Sequence, residues 1–266
     1  MTDWLPTDVT PFAGIGWWAM AGVFAAHGFG CFIRGAFGFG SNMPIVIITT
    51  FLLGPHHAVL LALLTTVVAQ LNLIPTALKD ADWPVARPLM VGLVVGTALG
   101  TWLFTILSAK WLVLVLGVLL CVIILMDSSK LVGRLTKHMD LRSRRLATGF
   151  AFTGGTMGGL GGGGAFYFLV VYLKHTCATA TALRGTNIAL SVLVMTTRMI
   201  VVILAGRMTL SLVVEGLLLT PFVIAATWYG ARVFRTTTPA RFFTALQILL
   251  LAGAVALIVK GIGQLA

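Results

Sequence analysis

The sequence contains few charged residues and very few acids. Only 9% of its 266 residues are Asp, Glu, Lys or Arg, against about 25% in soluble domains, and seven are acidic. No HExxH or GxSxG motif is present, and the three cysteines, Cys31, Cys121 and Cys177, form no CxxC pair. The sequence therefore excludes an ordinary soluble domain, and we expect no enzyme, no catalytic residue, no metal site and no cofactor.

Hydrophobic residues dominate instead. They make up 59% of the chain, and the mean hydropathy is +1.03. Apolar runs of 18 or more residues recur, and each is a candidate transmembrane helix. The net charge of +11 has a simple cause, because cytoplasmic loops of membrane proteins are enriched in Lys and Arg. The sequence predicts an all-α polytopic membrane protein that contacts lipid and binds no nucleic acid; a homodimer is left open.

The chain divides into two similar halves. We predict a first membrane repeat over 1–127, a basic cytoplasmic linker over 128–145 and a second membrane repeat over 146–266. GAFGFG at Gly35–Gly40 aligns with GGLGGG at Gly158–Gly163, and ALLTT, GTWLF and AKW find later counterparts in ALRGT, GARVF and ARF. The predicted helical segments are 14–33, 41–53, 57–78, 86–107, 111–127, 146–158, 163–174, 178–204, 209–231 and 240–262.

Loop charges favour an inverted arrangement of the halves. If each glycine-rich break separates two segments, each half crosses the membrane an odd number of times; if it is only a kink, the halves run parallel. With the central loop inside, the inverted arrangement puts twelve basic loop residues inside and three outside, whereas the parallel one gives ten and five. The positive-inside rule therefore predicts inverted repeats with both termini outside.

The glycine breaks predict an anion pathway at the membrane midplane. Interrupted helices in inverted repeats form the substrate sites of many secondary transporters. A helix that restarts after a break directs free N–H groups and its positive dipole end at the cavity. The candidate glycines are Gly38, Gly40, Gly161 and Gly163. The alternative is small-residue packing between helices.

Three arginines lie inside apolar segments. Each of Arg34, Arg184 and Arg198 should face a cavity, a partner or a bound anion, because an arginine at the bilayer centre costs at least about 2.5 kcal/mol. Snorkelling to the headgroups is the alternative, and it is most plausible for Arg198. The only acid within a segment is Glu215, a candidate for proton coupling. One carboxylate cannot neutralise three arginines, so an anionic substrate is predicted.

Uncharged polar residues accompany these arginines. Hydroxyl and amide groups can donate to the oxygens of an oxyanion. Interhelical hydrogen bonding is the alternative use of such groups. The substrate-binding candidates of this kind are Ser41, Asn42, Thr66, Gln70, Thr186 and Asn187.

At these motifs the chain resembles the sulfite exporter (TauE/SafE) family of bacterial anion permeases. The resemblance rests on FIRGAFGFGSNMPIVI, TGGTMGGLGGGGAFYF, ALLTTVVAQLN and ALRGTNIALS, and it covers nearly the whole chain. It implies a plasma-membrane carrier for sulfite or for organosulfonates such as sulfoacetate. Pro44 and the pair Thr66 and Thr186 match the family pattern. Phe166 and Tyr167 stand where a second proline would be expected, which predicts unequal half-sites.

The function predicted from these features is transport. We expect a multi-pass protein of the bacterial inner membrane that exports a small sulfur-containing anion by alternating access between the two breaks. The alternatives are an anion channel built on the same cavity and a carrier of a non-sulfur organic anion.

Overall fold

Helices account for nearly all of the described chain. The structure is a computed structural model that describes residues 11–37, 41–71, 73–128, 143–161, 165–233 and 240–265. Within those ranges there are eleven helices and no strand. They are α1 (Trp17–Phe37), α2 (Asn42–Leu53), α3 (Pro55–Leu71), α4 (Ile74–Asp80), α5 (Trp83–Ile106), α6 (Ala109–Ser128), α7 (Arg144–Gly161), α8 (Ala165–Thr176), α9 (Ala180–Leu204), α10 (Leu210–Val233) and α11 (Ala240–Leu265).

In the described part of the chain, three segments are long and apolar enough to cross a membrane. They are Trp83–Ile106, Thr181–Leu204 and Leu210–Arg232, and shorter apolar helices accompany them. Large apolar side chains face outward on the long helices: Val91, Leu217 and Val259 are 68%, 63% and 65% exposed. Soluble monomers rarely expose apolar surface on this scale. The predicted all-α fold is confirmed, and its long apolar helices are candidate membrane spans.

Helices α5 and α7 approach each other through glycines on both sides. A Cβ atom on Gly96 of α5 would lie 2.9 Å from the carbonyl carbon of Phe152 on α7. A Cβ atom on Gly155 of α7 would lie 2.7 Å from the carbonyl oxygen of Leu93 on α5. Side chains larger than hydrogen do not fit at these positions, so the two backbones touch directly, as in small-residue packing of membrane helices.

Helices α1 and α10 form a second contact of the same kind. A Cβ atom on Gly35 would lie 2.8 Å from the carbonyl carbon of Thr227, and one on Gly230 would lie 2.9 Å from that of Phe32. Each helix thus has a glycine at the point where it touches the backbone of the other. Helix α6 packs against α11. Helix α2 contacts α1, α3 and α11, and α9 contacts α4, α5 and α8.

Several helix ends differ by a few residues from the prediction, and two of these differences have a clear cause. The segment predicted as one helix over 57–78 is two helices, because α3 ends at Leu71 and α4 begins at Ile74. Pro75 lies in the first turn of α4, where its missing N–H is tolerated. A continuous helix would need that N–H to bond the carbonyl of Leu71, four residues before, so the proline interrupts it. The helix predicted to end at 158 continues to Gly161. Close packing of α7 against α5 compensates for the low helix propensity of its glycines.

The two predicted breaks and the linker fall largely on residues outside the described ranges. Helix α1 ends at Phe37 and α2 begins at Asn42; α7 ends at Gly161 and α8 begins at Ala165. Residues 38–40 and 162–164, and most of the linker, are outside the description. The glycine breaks, the inverted repeat and the division into 1–127, 128–145 and 146–266 therefore stay predictions.

Candidate functional site

Arg34 lies in the protein interior, in the last turn of α1. Its side chain is 2% exposed, and its neighbours Cys31 and Ile33 are buried as well. An arginine side chain is always charged, and removal of an ion from water costs several kcal/mol. The groups around Arg34 therefore decide what this position can bind.

Two neutral side chains hold the guanidinium of Arg34. Its Nε donates to Ser41 Oγ over 2.7 Å, and its Nη1 donates to Gln70 Oε1. Ser41 immediately precedes α2, and Gln70 lies in the last turn of α3. Both partners are buried. Helices α1, α2 and α3 therefore converge on this one cation.

Asn42 extends the hydrogen bonds from Ser41 to Thr66. Its Oδ1 accepts from Ser41 Oγ at 3.1 Å and from Thr66 Oγ1 at 2.6 Å. Thr66 and Asn42 are buried, and Gln70 follows Thr66 by one turn on α3. Five of the predicted substrate-binding residues are thus joined by hydrogen bonds. We refer to them as the Arg34 cluster: Arg34, Ser41, Asn42, Thr66 and Gln70.

The Arg34 cluster reaches the second half of the chain through Gln70. Its Nε2 donates to the carbonyl oxygen of Ile188 on α9 over 3.0 Å. The Gln70 carboxamide therefore accepts from an arginine of the first half and donates to a helix of the second. Movement of α9 relative to α3 would break this bond.

No carboxylate neutralises the Arg34 cluster in the described part of the chain. The one buried acid there is Glu215 on α10. Glu215 accepts from the backbone N–H of Phe12 over 2.9 Å and pairs with His57 at the start of α3. His57 and Gln70 are 13 residues apart on α3, or about 20 Å along its axis. The cluster thus carries a net positive charge that an anion would neutralise.

The predicted residues of the second half occupy different surroundings. Thr186 Oγ1 accepts from the backbone N–H of Asp82, just before α5, over 2.8 Å. Asn187 is buried, and its Oδ1 has no partner among the described residues. Arg184 is exposed, in the second turn of α9. The two halves therefore do not present matching sets of polar groups.

Of the predicted glycines, one lies in the described chain. Gly161 is the last residue of α7 and is buried, and a Cβ atom there would lie 2.8 Å from a methyl group of Leu119 on α6. Gly38, Gly40 and Gly163 lie outside the described residues.

Sequence reasoning overlooked a buried histidine on α1, two turns before Arg34. His27 Nδ1 lies 2.9 Å from Thr65 Oγ1, and both side chains are buried. His27 precedes Arg34 by seven residues, so the two share a face of α1 two turns apart. This spacing was the signal in the sequence that could have placed His27 on the inner face.

Arg198 is the second fully buried arginine of the described chain. It lies on α9 and is 2% exposed, so its guanidinium does not reach the surface. The snorkelling alternative is therefore wrong for Arg198. The sequence identified it as an arginine within a membrane segment but gave no reason to place it among the substrate-binding candidates.

Comparison with known proteins identifies one family. The family model described as Sulfite exporter TauE/SafE matches residues 23–257, which is nearly the whole chain and includes the Arg34 cluster and Arg198. No curated protein and no solved structure gives a significant match.

Proposed function

The chain belongs to the sulfite exporter TauE/SafE family, and from this we propose that it carries a small sulfur-containing anion out of the cell across the bacterial inner membrane. Membership of a transporter family agrees with the apolar helices. Sulfite and organosulfonates such as sulfoacetate are the proposed substrates. Export suits a monoanion, because leaving a negative interior releases about 2.3 kcal/mol per 100 mV.

The observation that carries the proposal is the buried charge of Arg34 among neutral partners. Ser41 and Gln70 orient its guanidinium but do not neutralise it. An oxyanion supplies both the missing charge and several acceptor oxygens, and arginine binds such groups with charge-assisted hydrogen bonds. Thr66 and Asn42 place further polar groups within the same cluster.

Residues of the second half complete the proposed path. Thr186 and Asn187 would contact the anion from α9, and Arg184, exposed near the start of that helix, would meet it at an entrance. Backbone N–H groups of Gly38, Gly40 and Gly163 would donate to it at the two breaks. Gly161, at the C-terminal end of α7, has its N–H bonded within the helix and would not donate.

The pairing of helices supports two repeats in which helices of one half pack against helices of the other. In each half the first helix packs against the penultimate helix of the other half: α1 against α10, and α7 against α5. The last helices of the halves, α6 and α11, pack against each other. We propose that these units are inverted repeats with both termini outside, and that one rocks against the other to expose the site alternately.

The direct test is anion binding with and without the Arg34 charge. We would measure thermal stabilisation of the purified protein by sulfoacetate and by sulfite, for wild type, Arg34→Met and Arg87→Met. Arg87 is an exposed residue of α5 and provides the matched control, since the same charge is removed at the surface. A ligand that binds only the folded protein raises its apparent stability.

We expect both anions to stabilise wild type and Arg87→Met, and Arg34→Met to bind about 10- to 150-fold more weakly. This range corresponds to the loss of about 1.5–3 kcal/mol for hydrogen bonds to a charged group. Equal affinity of Arg34→Met and wild type would disprove the assigned site. Stabilisation by carboxylates but by no sulfur oxyanion would instead favour the carrier of a non-sulfur anion.

Transport kinetics separate a carrier from a channel. In proteoliposomes, a carrier should show counterflow of labelled sulfoacetate when the opposite side holds unlabelled substrate. Unitary currents without counterflow would establish the channel alternative.

A further inference from the structure

Arg198 is buried between two apolar clusters of the interior. Val194, one turn before it on α9, packs in a cluster with Leu89 and Leu93 of α5. Val202, one turn after it, packs in a different cluster with residues of α3, α6 and α10. The guanidinium thus lies where apolar side chains would be expected, and this position requires an explanation.

Two of the three guanidinium nitrogens of Arg198 lack partners in the described chain. Its Nε and Nη2 are buried and make no hydrogen bond to any described residue. Buried polar groups in folded proteins are almost always hydrogen-bonded, and arginine carries five N–H groups that can only donate. An unpaired buried guanidinium therefore points to a ligand with acceptor oxygens and negative charge.

Polar residues continue along the same face of α9. Ser191 lies seven residues before Arg198 and Asn187 lies four residues before Ser191, so all three share one side of the helix. All are at most 2% exposed. The Oδ1 of Asn187 is also without a partner among the described residues. This buried face therefore holds both unused donors and an unused acceptor.

Helix geometry separates Arg198 from the Arg34 cluster. Gln70 bonds to Arg34 and to the carbonyl of Ile188, so the cluster lies beside Ile188 of α9. Arg198 follows Ile188 by ten residues, or about 15 Å along the axis. Side chains on helices lean toward the N-terminus, so Arg198 leans back toward Ser191 and the level of the cluster.

We propose that Arg198 is a second anion-binding position on the transport path, with Ser191 and Asn187 lining the face between it and the Arg34 cluster. The ligand is the same small oxyanion, so this inference rests on the proposed function. One arginine comes from each half of the chain. An anion that leaves Arg34 in one direction would meet Arg198 next. Transfer between two cationic positions avoids one position that binds the substrate too tightly to release it.

The test is the number of bound anions and the stability of the empty protein. Binding of radiolabelled sulfoacetate would be measured on protein in nanodiscs, for wild type, Arg198→Met, Arg34→Met and the exposed control Arg87→Met. We expect about two anions per chain in wild type and in Arg87→Met, and about one in Arg198→Met, with uptake into proteoliposomes reduced at least about tenfold. Methionine fills a similar volume without charge, so the empty Arg198→Met protein should melt no lower than wild type.

The possible results distinguish failure of the second position from failure of the proposed function. Unchanged stoichiometry and flux in Arg198→Met, with binding lost in Arg34→Met, would overturn the second position and leave the proposed function intact. A lower melting temperature of the empty variant, or its failure to fold, would mean that Arg198 has a structural partner, and would also overturn the inference. Absence of anion binding in wild type would defeat the proposed function itself, and the second position with it.

Discussion

The glycines between α5 and α7 allow a sharp test of helix packing. We predict that Gly96→Ala destabilises the protein relative to Gly149→Ala. Gly96 faces the backbone of α7, whereas Gly149 is exposed on α7 with nothing within 4 Å of an added Cβ atom. Both replace a helical glycine, so the gain in helix propensity, about 1 kcal/mol, is common to the two variants and cancels in their difference.

The magnitude follows from the distances at Gly96. An added Cβ atom would lie 2.9 Å from the carbonyl carbon of Phe152 and 3.0 Å from the backbone nitrogen of Thr156, whereas ordinary contacts begin at 3.4 Å. Because the obstacles are backbone atoms of α7, the helices must separate by at least about 0.5 Å. Overpacking of this kind costs about 1–3 kcal/mol. Gly96→Ala should therefore be about 1–3 kcal/mol less stable than Gly149→Ala.

Reversible unfolding in mixed detergent micelles provides the assay, with the helical circular dichroism signal as the readout. The proteins would be compared at one protein and one detergent concentration, because both shift apparent stability. Equal free energies of unfolding for Gly96→Ala and Gly149→Ala would refute the reading that these glycines serve close helix contact. A loss of transport in Gly96→Ala at unchanged stability would instead assign this contact to the conformational cycle.

Two further predictions concern polar residues of the interior. Glu215→Gln should lower the free energy of unfolding by about 1–3 kcal/mol, because its pairing with His57 is lost. If Glu215 couples a proton, flux in this variant should lose its pH dependence. Its partner His57 lies about 20 Å along α3 from Gln70, so we expect that the dependence is retained. Thr66→Val should change stability by only about 0.5–1.5 kcal/mol yet weaken sulfoacetate binding several-fold, since Asn42 loses a donor at 2.6 Å. Wild-type affinity of Thr66→Val in a titration would contradict this role.

Much of the Arg34 cluster could be predicted because its residues lie near each other in helical register. Thr66 and Gln70 are one turn apart on one helix, and Ser41 and Asn42 follow the first glycine run directly. A costly arginine in an apolar segment needs polar partners, and these were the polar residues at hand. Composition and local spacing were therefore sufficient to propose the group.

The second half could not be predicted in the same way. Arg184 and Arg198 lie on one helix, fourteen residues apart, and both interrupt apolar sequence. The structure leaves Arg184 exposed and buries Arg198. Periodicity places two residues on a face but does not say which neighbouring helix covers that face at each level.

The sequence by itself determined that this protein is an all-helical membrane protein of the TauE/SafE family, because hydropathy and local motifs need no knowledge of neighbours. Tertiary structure decided which cations are enclosed, which glycines serve backbone contact, and that Gln70 joins the two halves. These features depend on contacts between residues far apart in the sequence: Gln70 and Ile188 are 118 positions apart, and Gly35 and Thr227 are 192 positions apart. Such contacts arise from the packing of whole helices, which no local pattern encodes.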